Sequence, residues 1–109
     1  MVTVLSHCRK RARTRGQPFD LTLDDLMDLV EEQKSVCALS GAPLTYTAGE
    51  GVVFSNVSVD RIEHGKLYTK SNIRLVCYSV NVMRGRMSDE ELVSWCRAIV
   101  DKDDQDKSI

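Results

Sequence analysis

Two short runs in the middle of the chain, "VSVDRI" at 57–62 and "NIRLVC" at 72–77, constrain its architecture most. They alternate or run apolar with β-branched residues, and the polar "EHGKLYTKS" between them has loop composition, so they read as two short strands. The other periodic segments are helical. "LTLDDLMDLVEEQK" repeats Leu23, Leu26, Met27 and Val30 at i, i+3, i+4 and i+7, an amphipathic helix whose stripe is core. Thr22 followed by Asp25 is a weaker relative of the capping box that opens many helices. The segment before it, to about Arg15, can form a basic helix closed by Gly16, with Pro18 blocking its continuation. "CALSGAPLTYTAGEG" then breaks all periodicity with three glycines and a proline, as a turn-rich knuckle and loop does. "YSVNVMRGR" starts a short helix after the second strand. "SDEELVSWCRAIV" is a last helix capped by Ser88 with Glu91, with Leu92, Cys96 and Ile99 on one stripe and Trp95 expected to pack on the hairpin or the second helix.

A chain of 109 residues holds one small domain and is too short for two. Apolar and charged fractions of 42% and 28% are those of an ordinary globular protein. Only the tail at 101–109, "DKDDQDKSI", is expected to be disordered, being polar with a run of like charge. No window reaches the apolar length that spans a bilayer, and the start has no signal-peptide core, so the expected location is cytoplasmic. Cys8, Cys37, Cys77 and Cys96 read as free thiols or remnants of a metal site.

The net charge of −1 hides a segregation of sign. Residues 1–19 carry Arg9, Lys10, Arg11, Arg13 and Arg15 with no acid, and residues 61–87 carry Arg61, Lys66, Lys70, Arg74, Arg84 and Arg86 against Glu63 alone. Such a chain can present a basic face to phosphate; the alternative is two solvated surfaces. Between the basic residues, Asp60 ends the first strand and Asn81 opens the following helix. A hairpin would bring these two oxygen donors together, a set that suits a hard cation such as Mg²⁺.

"CALSGAPL", then "SVDRIEHGKLYTKSNIRLVCYSVNVMRG", then a capped C-terminal helix resembles the HNH endonucleases of the ββα-metal (His-Me finger) fold, particularly small phage-encoded members and more distantly the endonuclease VII type. With the helical lead-in the resemblance covers residues 5–100. It implies an α+β fold: a ββα-metal hairpin plus helix at 37–87, two N-terminal helices at 1–36 and one C-terminal helix at 88–100, all within a single domain at 1–100. It implies metal-dependent hydrolysis of DNA phosphodiester bonds through one Mg²⁺ or Mn²⁺. Asp60 matches the metal-binding aspartate of the Asp-His pair, Asn81 the final metal ligand, Asn72 the asparagine that braces the loop, and Arg84 a basic residue usual beyond it. DNA would be held by its phosphate backbone, through the basic residues named above. A homodimer and phage packaging or replication proteins are further partners the resemblance suggests.

Three departures from the family pattern bear on mechanism. Arg61 stands where the family has its general-base histidine, and a guanidinium has no lone pair with which to deprotonate water; it could contact phosphate instead. His64, three residues on, has a suitable pKa for a base, but reaches the same face only if the chain turns right after Ile62. Two CxxC pairs hold the finger in many members; here the positions read "CALS" and "CYSV". Cys37 and Cys77 alone are too few for a structural zinc, which is not expected. The rival reading is a catalytically inactive HNH-fold module that binds DNA or a protein partner.

Overall fold

The computed structural model describes residues 1–108. It is a mixed α+β arrangement of four α-helices and one two-stranded antiparallel hairpin. Helix α1 is Val2–Thr14, α2 Leu23–Glu32, α3 Tyr78–Arg84 and α4 Asp89–Lys107; strands β1 Val57–Arg61 and β2 Ile73–Cys77 form the hairpin. Gly16, at φ +64°, lets the chain leave α1 in a conformation that costs other residues, and Gly85, at φ +52°, does the same after α3. The Thr22 hydroxyl accepts from Asp25 N while the Asp25 carboxylate accepts from Thr22 N, so the shorter acid completes a reciprocal cap.

A two-stranded hairpin is marginal alone, and this one is stabilised by helical cover. Leu5, Cys8 and Ala12 of α1, Leu26 and Leu29 of α2, and Val59, Ile73, Leu75 and Val76 of the strands form one buried cluster. The buried face of α2 is therefore narrower than its periodicity suggests. Leu26 and Leu29 are enclosed, Val30 is partly buried, and Leu23 and Met27 lie on the exposed rim.

Gln33, just after α2, completes the outer edge of β2 with its side chain. Its amide nitrogen donates to Leu75 O at 2.9 Å and its amide oxygen accepts from Leu75 N at 3.0 Å, as a neighbouring strand would. Lys34 and Ser35 follow at positive φ, which reverses the chain into the knuckle. There Ala38 N also donates to Leu75 O, and Cys37 N to Ala42 O. Cys37 and Cys77 meet as buried neighbours where the knuckle touches the end of β2.

Two expectations about the C-terminus need correction. The segment from residue 101 continues α4 as helix to Lys107, because Lys102 pairs with Asp106 and Lys107 with Asp103 one turn apart; Ile109 lies outside the described residues. Trp95 is 62% exposed, since α4 buries only Leu92 and projects from the body, drawing the molecule out to 53 × 28 × 26 Å. No helix among the described residues is long and apolar enough to cross a membrane.

Gln33→Ala would strand the Leu75 amide away from solvent. It is expected to cost about 1–3 kcal/mol in equilibrium denaturation, with the transition remaining cooperative.

Candidate functional site

Register in the hairpin sets Asp60 directly across from Arg74, and α3, which starts as β2 ends, brings Arg84 to the same carboxylate. Asp60 is 2% exposed and both its oxygens are taken. Oδ2 accepts from Arg74 Nε at 2.8 Å and Oδ1 from Arg84 Nη1 at 2.7 Å. Arg84 is itself 3% exposed and also donates to the carbonyls of Arg61 and Ile62, each at 2.8 Å. Arg74 turns its other two nitrogens to Asp89, at 2.8 and 2.6 Å, in a bidentate pair. That hydrogen-bonded pair holds the Asp89 carboxyl below the usual carboxylate range against the opposing effect of burial. The Arg74 guanidinium is raised correspondingly, first by Asp89 and then by Asp60.

Asp60, Asp89, Arg74 and Arg84 thus form a cluster of two anions and two cations that runs from the buried Asp60 and Arg84 out to a partly exposed Asp89. Arg74 and Arg84, expected to grip DNA, are turned inward instead, because a buried Asp60 requires its charge to be matched. Asp89 was not singled out by the sequence. It sits in the first turn of a capped helix, where an acid is explained by the helix dipole alone.

The remaining residues of the motif surround this cluster. Asn81 donates through Nδ2 to Ser58 Oγ at 2.6 Å, tying α3 to β1. Asn72 ties the inter-strand loop on both sides: its Oδ1 accepts from Glu63 N at 2.9 Å and its Nδ2 donates to Glu63 O and Leu67 O at 3.1 and 3.0 Å. The chain bends directly after Arg61, which returns His64 toward the cluster. The His64 imidazole is lowered from its ordinary pKa by burial first and by Arg84 next, with Arg61 and Arg86 adding and Asp60 opposing. Its Nε2 is enclosed without a hydrogen-bond partner.

Arg61 takes a different part from that of a base. Its Nη1 donates to Lys66 O at 3.0 Å and its guanidinium lies 5.0 Å from the centre of the Tyr68 ring. Arg11 approaches the same ring from α1 and donates through Nε to the Tyr68 hydroxyl at 3.0 Å. Phe19 meets Tyr68 edge to face, and Arg9 lies 5.5 Å from the Phe19 ring centre. Two basic runs far apart in the sequence are joined here by a pair of aromatic rings. Lys10, Arg13, Arg15 and Arg86 are exposed beyond them, whereas Lys66 pairs with Glu63 and Lys70 with Asp28 and Glu32.

Cys37 and Cys77 differ in acidity although they touch. Burial raises both, but hydrogen bonds from Ser40 and neighbouring backbone outweigh it at Cys37, which is lowered to about 7. Cys77 is raised by burial and by the charge of Cys37.

The donor set does not fit a divalent cation. Asp60, the carboxylate expected to act with Asn81, has both oxygens committed to arginine, and its cluster sets two guanidiniums against two carboxylates. A hard dication there would add two charges beside a buried guanidinium, Arg84, and a partly buried one, Arg74. Among the described residues no group of three or more His, Cys, Asp or Glu converges.

No protein-family model matches the chain, and neither curated proteins nor solved structures yield a match.

Asp60→Ala would take from the buried Arg84 its shortest carboxylate contact and leave Arg74 with Asp89 alone. A loss of about 3–5 kcal/mol in denaturant unfolding is expected, far above that of an exposed acid such as Asp20. His64 gives a pH signature. Its folded pKa lies below the ordinary 6.5, so the unfolded chain binds more protons in the window beneath that value and stability rises with pH there. Acidification from neutral through about pH 6.5 should lower the melting temperature until the depressed folded pKa is passed, and His64→Asn should flatten that part of the profile.

Proposed function

We propose that this chain is a DNA-binding module on a hairpin and helix of the ββα-metal type, with an arginine–carboxylate cluster where the related nucleases hold their metal. The observation that carries the binding is the meeting of Arg11 and Arg61 over Tyr68, which merges the two basic runs into one face. Arg9, Lys10 and Arg13 of α1 and Arg15 just after it add further exposed cations to the same segment. Cations on a helix and a loop suit contacts to a phosphate backbone, which carry little base information. The catalytic silence is supported by Asp60, whose oxygens already serve two guanidiniums.

A second reading, a metal-dependent DNA endonuclease using Mg²⁺ or Mn²⁺, is favoured by one feature. His64 is held toward its neutral form near Asp60 with an unpartnered Nε2, as a general base would be. That reading requires the arginines to release Asp60.

Two measurements separate the readings. Duplex DNA should bind with an affinity that falls steeply from low to physiological salt, and Arg13→Gln with Arg15→Gln should reduce the salt slope by about one for each phosphate no longer neutralised. Binding insensitive to salt would reject both readings. Supercoiled plasmid incubated with Mg²⁺, Mn²⁺ or EDTA should show equal, background conversion. Metal-dependent nicking that disappears in a folded His64→Ala protein would establish the nuclease instead; Asp60→Ala is a poor control because it removes the core of the ion cluster.

A further inference from the structure

The knuckle after α2 brings together two cysteines that the DNA face does not use. Cys37 opens the knuckle, and Cys77 ends β2 and precedes α3. Ala38 N donates to Leu75 O at 3.0 Å, which lays the knuckle against the end of the strand. The two sulfurs lie within hydrogen-bonding reach of each other, and the Ser40 hydroxyl reaches both. Both residues are buried, 1% and 3% exposed, and both are free thiols.

The two sulfurs are not equivalent. The amides of Leu39, Ser40 and Cys77 point at Cys37 Sγ, Ser40 N at 3.4 Å. Amide hydrogens aimed at a sulfur stabilise its anion, and the thiolate is the nucleophilic form. Cys77 has the opposite surroundings, since burial and the neighbouring Cys37 keep its proton in place.

We propose that Cys37 and Cys77 form a reversible disulfide driven by hydrogen peroxide, with Cys37 the attacking and Cys77 the resolving sulfur. In the first step the Cys37 thiolate attacks one peroxide oxygen. The O–O bond breaks, the sulfur becomes a sulfenic acid, and the hydroxide released takes up the proton that Cys37 gave up and leaves as water. In the second step the Cys77 sulfur attacks the sulfenic sulfur, the S–O bond breaks, and the departing hydroxide carries off the Cys77 proton as a second water. The two thiols lose two electrons and peroxide gains them.

Peroxide is little larger than water, so a local opening of the knuckle admits it. The product closes a loop of about forty residues and fastens the knuckle to the junction of β2 and α3, so oxidation stabilises the fold. The chemistry is independent of DNA binding.

Hydrogen peroxide treatment of the folded wild-type protein, followed by alkylation in denaturant and peptide mass mapping, tests this. The Cys37 and Cys77 peptides should be recovered joined, lighter by two hydrogens, and dithiothreitol should separate them. Oxidised protein should melt at least several degrees above reduced protein. In Cys77→Ser, dimedone should label Cys37 as a trapped sulfenic acid, whereas in Cys37→Ser it should leave Cys77 unlabelled at the same dose. That contrast reads the order of attack, which proximity alone would not set. The wild-type mapping decides the bond by itself should either variant fail to fold.

Recovery of Cys37 and Cys77 as free thiols, at doses that oxidise the half-exposed Cys96, would overturn the proposal. Oxidation of Cys37 to a sulfinic acid with Cys77 left free would do so too. Dimedone labelling of Cys77 but not Cys37 would overturn the order of attack, and oxidised protein that melts below reduced protein would overturn the stabilising bond.

Discussion

A carboxylate enclosed between two guanidiniums organises this protein. Asp60 ends β1, Arg74 faces it from β2, Arg84 reaches it from α3, and Asp89 holds the far side of Arg74 from the first turn of α4. Four consecutive elements are thereby fixed to one another by charge. Of the four, Asp60 and Arg84 are buried, and the cost of taking these two charges out of water is offset only while their partners are in place. Arg84 extends the effect into the loop, because its remaining donors take the carbonyls of Arg61 and Ile62 and hold the bend that returns His64.

Such a cluster changes what the surrounding motif can do. The strand-strand-helix order places an aspartate, an asparagine and a histidine near one another, an arrangement that resembles a hydrolytic centre in sequence. Chemistry at a phosphate needs an anion that is still available. Here the anion is spent on structure, and the accessible positive charge has moved outward to Arg9, Arg11 and Arg61 around two aromatic rings. On the function proposed above, those cations would serve recognition of a phosphate backbone rather than its cleavage.

How much of this could be read from the sequence depended on the range over which each signal acts. Strand alternation, the Ser88–Glu91 and Thr22–Asp25 caps and the Gly16 stop are local, and the elements they mark are present. The bracing role of Asn72 was expected from the resemblance alone, and its side chain does close the loop on Glu63 and Leu67. Asp89 was not legible, because its partner Arg74 lies in another element and an acid at a helix start already has a local explanation. The orientation of Arg74 and Arg84 failed for the same reason: a run of cations records charge but not which side of a strand or helix it occupies. The helical continuation past residue 100 was masked by composition, since acidic content suggests disorder whereas the one-turn spacing of Lys102 with Asp106 supports helix. Trp95 was placed in the core by its chemistry, and geometry leaves no surface within its own chain to receive it.

The side chain of Gln33 has a consequence beyond holding α2 to the hairpin. A two-stranded sheet has two outer edges, each a row of backbone groups on which a strand from another molecule could grow. On β2 the central donor and acceptor belong to Leu75, and both are answered by a single glutamine amide, with Ala38 N adding a second donor. A glutamine amide mimics one peptide unit and then ends, so it terminates the ladder where a true third strand would have created a fresh edge. Copies of this chain that meet through that side find no template for runaway fibre growth.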